Sequence, residues 1–329
     1  KMIDRMNMFR RELSRTLEER LREPRSFIQV VMGPRQTGKT TAIKQAVKAT
    51  GLPVRVASAD SAIELGADWI ELEWRQARNM AERGTKAVLV LDEIQKVAQW
   101  SQTVKRLWDE DSWNDAPLLV ILSGSSSLLI GSGLSESLAG RYELLRSTHW
   151  SLSEMSEAFG YNLSDYLEFG GYPGAAILKS DEDRWREYMR DSIVESTISR
   201  DVLQMENVRK PALMRALFEL GAQYSAQELS YRKILGQLDD KGNTDTIKHY
   251  LDLLSGAGMI SGLQKFDDKP IKAKASSPRL MVHDPALMTS MWHGKGSLLE
   301  DPDLYGHLVE TAVGAYLIAR SAIDGFDLC

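Results

Sequence analysis

Gly33-Pro34-Arg35-Gln36-Thr37-Gly38-Lys39-Thr40-Thr41 is the stretch on which the reading of this chain turns. It fits G-x-x-x-x-G-K-[ST], and each residue type has a chemical reason to be there. Gly33 and Gly38 let the backbone take positive φ and approach a polyphosphate closely. Successive N–H groups of the loop then point inward as an anion-binding nest. A helix opening at Lys39 adds the positive end of its dipole. Lys39 brings a cation to the β- and γ-phosphates, and the Thr40 hydroxyl suits Mg²⁺. Four fixed positions match by chance in roughly one chain of this length in a hundred. The flanks sharpen the signal: Phe27–Met32 is a short β-branched run that reads as a buried strand, and Lys39–Thr50 reads as a helix. The whole run Gly33–Thr41 is the candidate nucleotide-binding segment.

Outward from the loop, strand and helix signals alternate. Pro53–Ala57, Ala87–Leu91, Pro117–Leu122 and Tyr142–His149 read as strands; Asp68–Arg83 and Ser101–Asp111 read as helices. That alternation predicts a parallel sheet covered on both faces. After about residue 150 the strands stop, which puts a domain boundary near residues 150–160. Helices are expected over Glu154–Phe159, Ser164–Glu168, Asp181–Ser199 and Pro211–Gln223. Ser225–Leu235, Asn243–Leu254 and Met259–Phe266 then read as helix, helix and short hairpin, the order of a winged helix-turn-helix. The expected domains are a basic helix over 1–25, an α/β P-loop NTPase domain over 26–155, a helical subdomain over 156–224, the winged helix over 225–280, and a further segment over 281–329.

Val88-Leu89-Val90-Leu91-Asp92-Glu93 is an apolar strand ending in two carboxylates. Asp92 at a buried strand end beside a phosphate loop is placed to hold Mg²⁺ with Thr40, and Glu93 to orient or deprotonate an attacking water. The strand before Ser123-Gly124-Ser125 ends in polar residues. Ser123 or Ser125 is either a contact to the γ-phosphate or its water, or part of a Ser/Gly turn. Arg141, in Leu138-Ala139-Gly140-Arg141, is either a surface arginine or a cation for the γ-phosphate of its own or a neighbouring copy's nucleotide. Arg200-Asp201 is either a helix-end ion pair, the favoured reading, or a connection from the helical region to the nucleotide site.

Composition narrows the class further. The 329 residues are 43% apolar and 26% charged, with a net charge of −5. A disordered or disulfide-stapled chain is excluded, as is one basic enough overall to coat nucleic acid. The first 50 residues are locally basic, with 12 Lys or Arg against 5 Asp or Glu, and Leu13, Leu17 and Leu21 form a helical stripe there. The one cysteine, Cys329, points to a reducing cytoplasm. No apolar run reaches 18 residues, so no membrane span is expected. The histidines lack any metal-ligand spacing with Cys or carboxylates.

Together, Gly33–Thr41, Leu91-Asp92-Glu93-Ile94-Gln95, Ser123-Gly124-Ser125-Ser126 and Leu138–Arg141 resemble the prokaryotic AAA-type ATPases of the additional-strand class. Members of that family carry a winged-helix segment and a C-terminal domain likened to restriction endonucleases. Gly170-Gly171-Tyr172-Pro173-Gly174 and Ser199-Arg200-Asp201-Val202 also fit, and the likeness runs from about residue 8 to residue 320. The resemblance implies ATP as nucleotide, Mg²⁺ as metal, and the Asp92 and Ser123 strands inserted beside the phosphate-loop strand. It also implies a DNA-related role and ring-forming homo-oligomers. Gly306–Glu310 resembles the opening of the endonuclease-like domain, whose Asp and Glu-x-Lys strands do not follow before Cys329. This polypeptide is therefore not expected to cut nucleic acid.

Within the winged helix, Lys248 and His249 on the second helix, with Lys265 and Lys269 on the wing, are the candidate DNA contacts. Residues 225–275 hold 8 Lys or Arg against 7 Asp or Glu, a thin charge for a module whose affinity comes from phosphates. DNA binding and a packing or protein-binding role therefore both stand. The expectation is a Mg²⁺-dependent ATPase acting on or regulated by DNA; the alternative is a nucleotide-gated switch or adaptor for a protein partner.

Overall fold

The computed structural model describes residues 9–60, 65–81, 85–125, 134, 137–203, 208–238, 243–266, 277–292 and 299–329. These divide into two compact units. One is Arg10–Gly33 with Gly38–Ser147; the other joins the segment ending at Phe9, Pro34–Thr37 and Thr148–Cys329.

The first unit is an α/β layer structure. In chain order it runs α1 (Glu12–Arg22), β1 (Ile28–Met32), α2 (Lys39–Thr50), β2 (Val54–Ser58), α3 (Ala67–Met80), β3 (Ala87–Asp92), α4 (Trp100–Trp113), β4 (Leu118–Gly124) and β5 (Tyr142–Arg146). The sheet order is β2-β3-β4-β1-β5, and every pair is parallel. β1 and β4 are buried along their whole length, as strands covered on both faces must be. Their side chains alternate between two cores. Ile28, Val30 and Met32 meet Trp74, Leu107 and Trp108 on the α3–α4 face, while Val31 meets Leu17, Leu21, Ile43 and Val47 on the α1–α2 face. The leucine stripe of the N-terminal segment thus becomes one wall of this core. Asp111, nearly fully buried, joins the two helices of the opposite wall: it accepts from Trp74 Nε1 at 2.8 Å and from Arg78 Nε at 2.6 Å.

The second unit contains α5 (Leu152–Phe159), α6 (Leu163–Phe169), α7 (Glu182–Tyr188), α8 (Pro211–Gln223), α9 (Tyr231–Gln237), α10 (Thr244–Gly256), β6 (Ile260–Leu263), β7 (Arg279–Val282), α11 (Pro285–Thr289) and α12 (Pro302–Asp324). Reciprocal capping boxes start α5 at Ser151/Glu154 and α6 at Asn162/Asp165. Its elements surround one core that includes Trp185, Phe218, Leu254 and Leu287.

Three expectations change here. The helix expected over Asp181–Ser199 is α7 followed by two π-helical segments, Met189–Glu195 and Ile198–Val202. The helix expected from Ser225 begins at Tyr231, because 224–230 forms turns and Glu228 makes an isolated bridge with Arg279. The hairpin expected within Met259–Phe266 is instead a long-range antiparallel pair: Ile260 faces Val282 and Leu263 faces Arg279. Residues 1–8 of the expected basic helix lie outside the described residues; the helix that is described begins at Glu12. Among the described residues no helix is long and apolar enough to cross a membrane.

Candidate functional site

β1 ends at Met32, and the chain turns at Gly33 before α2 begins at Lys39. Gly33 sits at φ 155°, and a Cβ there would lie 1.9 Å from the carbonyl oxygen of Ser147. No side chain fits, so the close approach of the loop to the chain leaving β5 requires glycine. Gly38 caps α2 in the left-handed region at φ 86°, and Gln36 is left-handed too, at φ 60°. Left-handed residues alternating with right-handed ones turn successive N–H groups to one side, as an anion nest requires. Lys39 is buried, and its Nζ donates to the Gly33 carbonyl at 2.9 Å, which keeps the ammonium over the loop. A buried cation of this kind wants an anionic neighbour.

The carboxylates come from the end of β3. Because all five strands are parallel, the C-terminal ends of β1, β3 and β4 share one edge of the sheet. Thr40 Oγ1 donates to Asp92 Oδ2 at 3.4 Å, and Ser123 Oγ donates to Asp92 Oδ1 at 2.5 Å. Glu93 follows in the left-handed region at φ 53°, a conformation that costs a non-glycine residue and that clusters at functional sites. Its Oε2 accepts from Gln95 Nε2 at 2.7 Å and from Ser125 Oγ at 3.2 Å. Thr40, Asp92, Ser123, Glu93 and Ser125 are thus brought together. Gln95 is a member that sequence reasoning gave no role; its signal was its place two residues after Glu93, where a 3₁₀ turn over Ile94–Lys96 carries it back to the carboxylate.

Arg141 is not brought to this edge. It immediately precedes β5, whose Tyr142 pairs with Ile28, the first residue of β1. The phosphate loop leaves the far end of that strand, five residues along at about 3.3 Å each. Arg141 instead grips Asp109, with Nε on Oδ1 at 2.7 Å and Nη2 on Oδ2 at 3.1 Å. A contact from Arg141 to the nucleotide of its own loop is therefore ruled out by the direction of β5.

In the second unit, the loop residues Pro34–Thr37 have their own partners. Arg35 makes a two-bond ion pair with Asp201, Nε to Oδ2 and Nη2 to Oδ1, both at 2.6 Å. Asp201 thus reaches a partner 166 positions away on the loop, the second of the two readings of Arg200-Asp201, and not the favoured helix-end pair with Arg200. Trp150 Nε1 donates to the Thr37 carbonyl at 3.0 Å. Among the candidate DNA contacts, the Lys248 ammonium lies 5.0 Å from the Tyr231 ring centroid, His249 is exposed beside Tyr250, and Lys265 is exposed just after β6. Lys269 lies outside the described residues. Glu310, on α12, is exposed and 3.6 Å from Arg279.

A nest opening into a helix, with a lysine over it and a strand-end Asp-Glu beside it in a β2-β3-β4-β1-β5 parallel sheet, defines a P-loop nucleotide-hydrolase unit. Residues 25–156 match the AAA domain family, and the chain is a P-loop ATPase. Residues 160–298 match a family described as a domain of unknown function (DUF8612). Among solved structures, the Walker-type ATPase PABY2304 of Pyrococcus abyssi matches with a TM-score of 0.61 and 14% identity, over 86% of this chain and 95% of that chain. The RuvB Holliday junction branch migration motor of Thermotoga maritima matches at a TM-score of 0.40 and 16% identity, over 81% of this chain and 93% of that chain. No protein of curated function matches the chain.

Proposed function

We propose that the chain is a Mg²⁺-dependent ATPase in which Lys39 and the Gly33–Thr40 amides hold the triphosphate. Thr40 and Asp92 are the metal-side ligands, and Glu93 is the base that orients and deprotonates water. The observation that carries this is the hydrogen-bonded chain Thr40–Asp92–Ser123 with Glu93 next to it. The donor set, one hydroxyl and one carboxylate 3.4 Å apart, is the hard-oxygen chemistry that suits Mg²⁺ shared with phosphates. Held there, such an ion would supply charge neutralisation to the phosphates. Gln95 and Ser125 both donate to Oε2 of Glu93, which fixes the carboxylate that is to act on water. Ser123 serves to orient Asp92.

Isothermal titration and phosphate release test this reading. Lys39→Ala is expected to abolish heat with magnesium nucleotide. Glu93→Gln is expected to keep binding and to lower turnover by about 10²- to 10⁴-fold. Wild-type phosphate release from a Glu93→Gln protein would remove the base from the scheme, leaving the nucleotide-gated switch.

The second half of the proposal concerns α8–β7. The order helix, isolated bridge at Glu228, α9, α10, β6, β7 supports reading this segment as a winged helix-turn-helix with α10 as its second helix. His249 and Lys265 are exposed there, which favours a nucleic-acid surface; Lys248, lying on Tyr231, favours packing. Fluorescence titration with duplex and forked DNA at two salt concentrations separates DNA from a protein partner, since phosphate contacts weaken steeply with salt.

A further inference from the structure

The phosphate loop carries a feature that its chemistry alone does not require. Each of the four residues Pro34–Thr37 meets a different part of the second unit. A Cβ on Gly258, at φ +74°, would fall 2.2 Å from Pro34 Cγ, so the turn after α10 closes against the proline. Arg35 is forked onto Asp201. Gln36 Oε1 lies 3.4 Å from where a Cβ of Gly174 would stand. The Thr37 carbonyl takes the buried Trp150 indole N–H.

Of these four contacts only the Arg35–Asp201 pair is charged. Its carboxylate is 2% exposed and its guanidinium 19%. Asp201 sits in the second π-helical segment, Ile198–Val202. π-helical turns trade hydrogen-bond regularity for the placing of particular side chains, and they recur at functional positions. A two-bond fork fixes the orientation of the arginine as well as its distance. The loop also needs Gln36 in the left-handed region, one residue after Arg35, which a mobile Arg35 would not enforce.

We propose that Asp201 is a positioning residue for nucleotide binding: through Arg35 it holds the phosphate loop in its nest conformation, so that the π-helical segment sets nucleotide affinity. This rests on the loop being the nucleotide site proposed above. Because the pair acts on the loop backbone and not on the γ-phosphate, it affects ATP and ADP alike.

The test is a double-mutant cycle on the full chain, read by calorimetric Kd for Mg-ATP and Mg-ADP, with Lys39→Ala as the reference for loss of the site. Asp201→Asn and Arg35→Gln are each expected to weaken both nucleotides by about tenfold, and the double variant by no more than either alone. Asp201→Glu, which keeps the carboxylate, is expected to recover most of the affinity. For Asp201→Asn, kcat at saturating nucleotide is expected to stay within about twofold, a split between KM and kcat that a general loss of fold does not produce. Unchanged affinity in Asp201→Asn, an additive cycle, or tighter binding overturns the proposal. Should Asp201→Asn not fold, Arg35→Lys, at the more exposed partner, carries the same comparison by giving up the fork while keeping the charge. Wild-type protein that binds no nucleotide sinks the site itself. A binding wild type, a Lys39→Ala protein that has lost binding and an unaffected Asp201→Asn sink only the positioning role.

Discussion

At Gly33, one hydrogen atom decides whether the loop can form. The residue lies between the last residue of β1 and the carbonyl of Ser147, whose own N–H donates to Met32 at 2.8 Å. A methyl group at 1.9 Å from that carbonyl cannot be absorbed by a side-chain rotation, because the obstacle is backbone. Gly33→Ala is expected to destabilise the α/β unit by about 2–4 kcal/mol, from overpacking and positive φ together. Urea unfolding followed by tryptophan fluorescence reads it, and nucleotide binding is lost in parallel. Glu93 shows the complementary case, in which a non-glycine residue holds a left-handed conformation at the site. Both residues were legible in the sequence, since the spacing of the loop motif and the strand-end Asp-Glu are local patterns. Gln95 was quoted in a motif but gained a role only when the 3₁₀ turn returned it to Glu93.

At the scale of elements, periodicity located the strands and most helices because burial on one or both faces imprints a pattern within a few residues. It failed where pairing is non-local. β6 finds β7 about twenty residues on, and the turn 224–230 takes the place of a helix start because Glu228 bridges to Arg279. α11 carries an electrostatic consequence. Asp284 caps it, accepting from Ala286 N–H at 2.9 Å, and also accepts from Gly171 N–H at 2.8 Å. That second bond explains Gly170-Gly171: Cβ atoms there would lie 2.0 Å and 2.8 Å from the same carboxylate. Full burial pushes the Asp284 carboxyl up from 3.8 to about 7, against the pull of the two N–H bonds. The raised value means that the native state holds this proton more tightly than the unfolded chain does. Its contribution is therefore complete below about pH 4 and lost as pH rises toward about 7. Relative to Asp284→Asn, the wild type is expected to lose a few kcal/mol of unfolding free energy across that window. Denaturant titrations of both proteins at stepped pH measure the difference.

For the whole molecule, strand direction decides what Arg141 can do. It stands at the start of β5, at the sheet edge away from the loop, and so cannot serve its own nucleotide. Two readings then stand for it, a surface arginine paired with Asp109 or, as we propose, a cation for a neighbouring copy's nucleotide. On that reading Arg141→Ala leaves nucleotide affinity of dilute protein within about twofold and lowers turnover by about 10³-fold once copies associate. Turnover against protein concentration, with light scattering on the same samples, checks this. Its ion pair with Asp109 is partly exposed and contributes at most about 1 kcal/mol, so the fold survives the change.

What could be read directly from the chain is the chemistry of the loop and of the strand tip that faces it. Nine consecutive residues carry the glycines, the amides, the cation and the helix start, and two more carry the carboxylates, so each requirement is met within the reach of local geometry. What waited for the fold is which of these groups meet distant ones. Strand direction sends Arg141 to the far edge, and the path of the chain through its π-helical turns brings Asp201 to Arg35 across 166 positions. Such meetings depend on how the cores close, and a side-chain period of two or 3.6 residues carries no information about that.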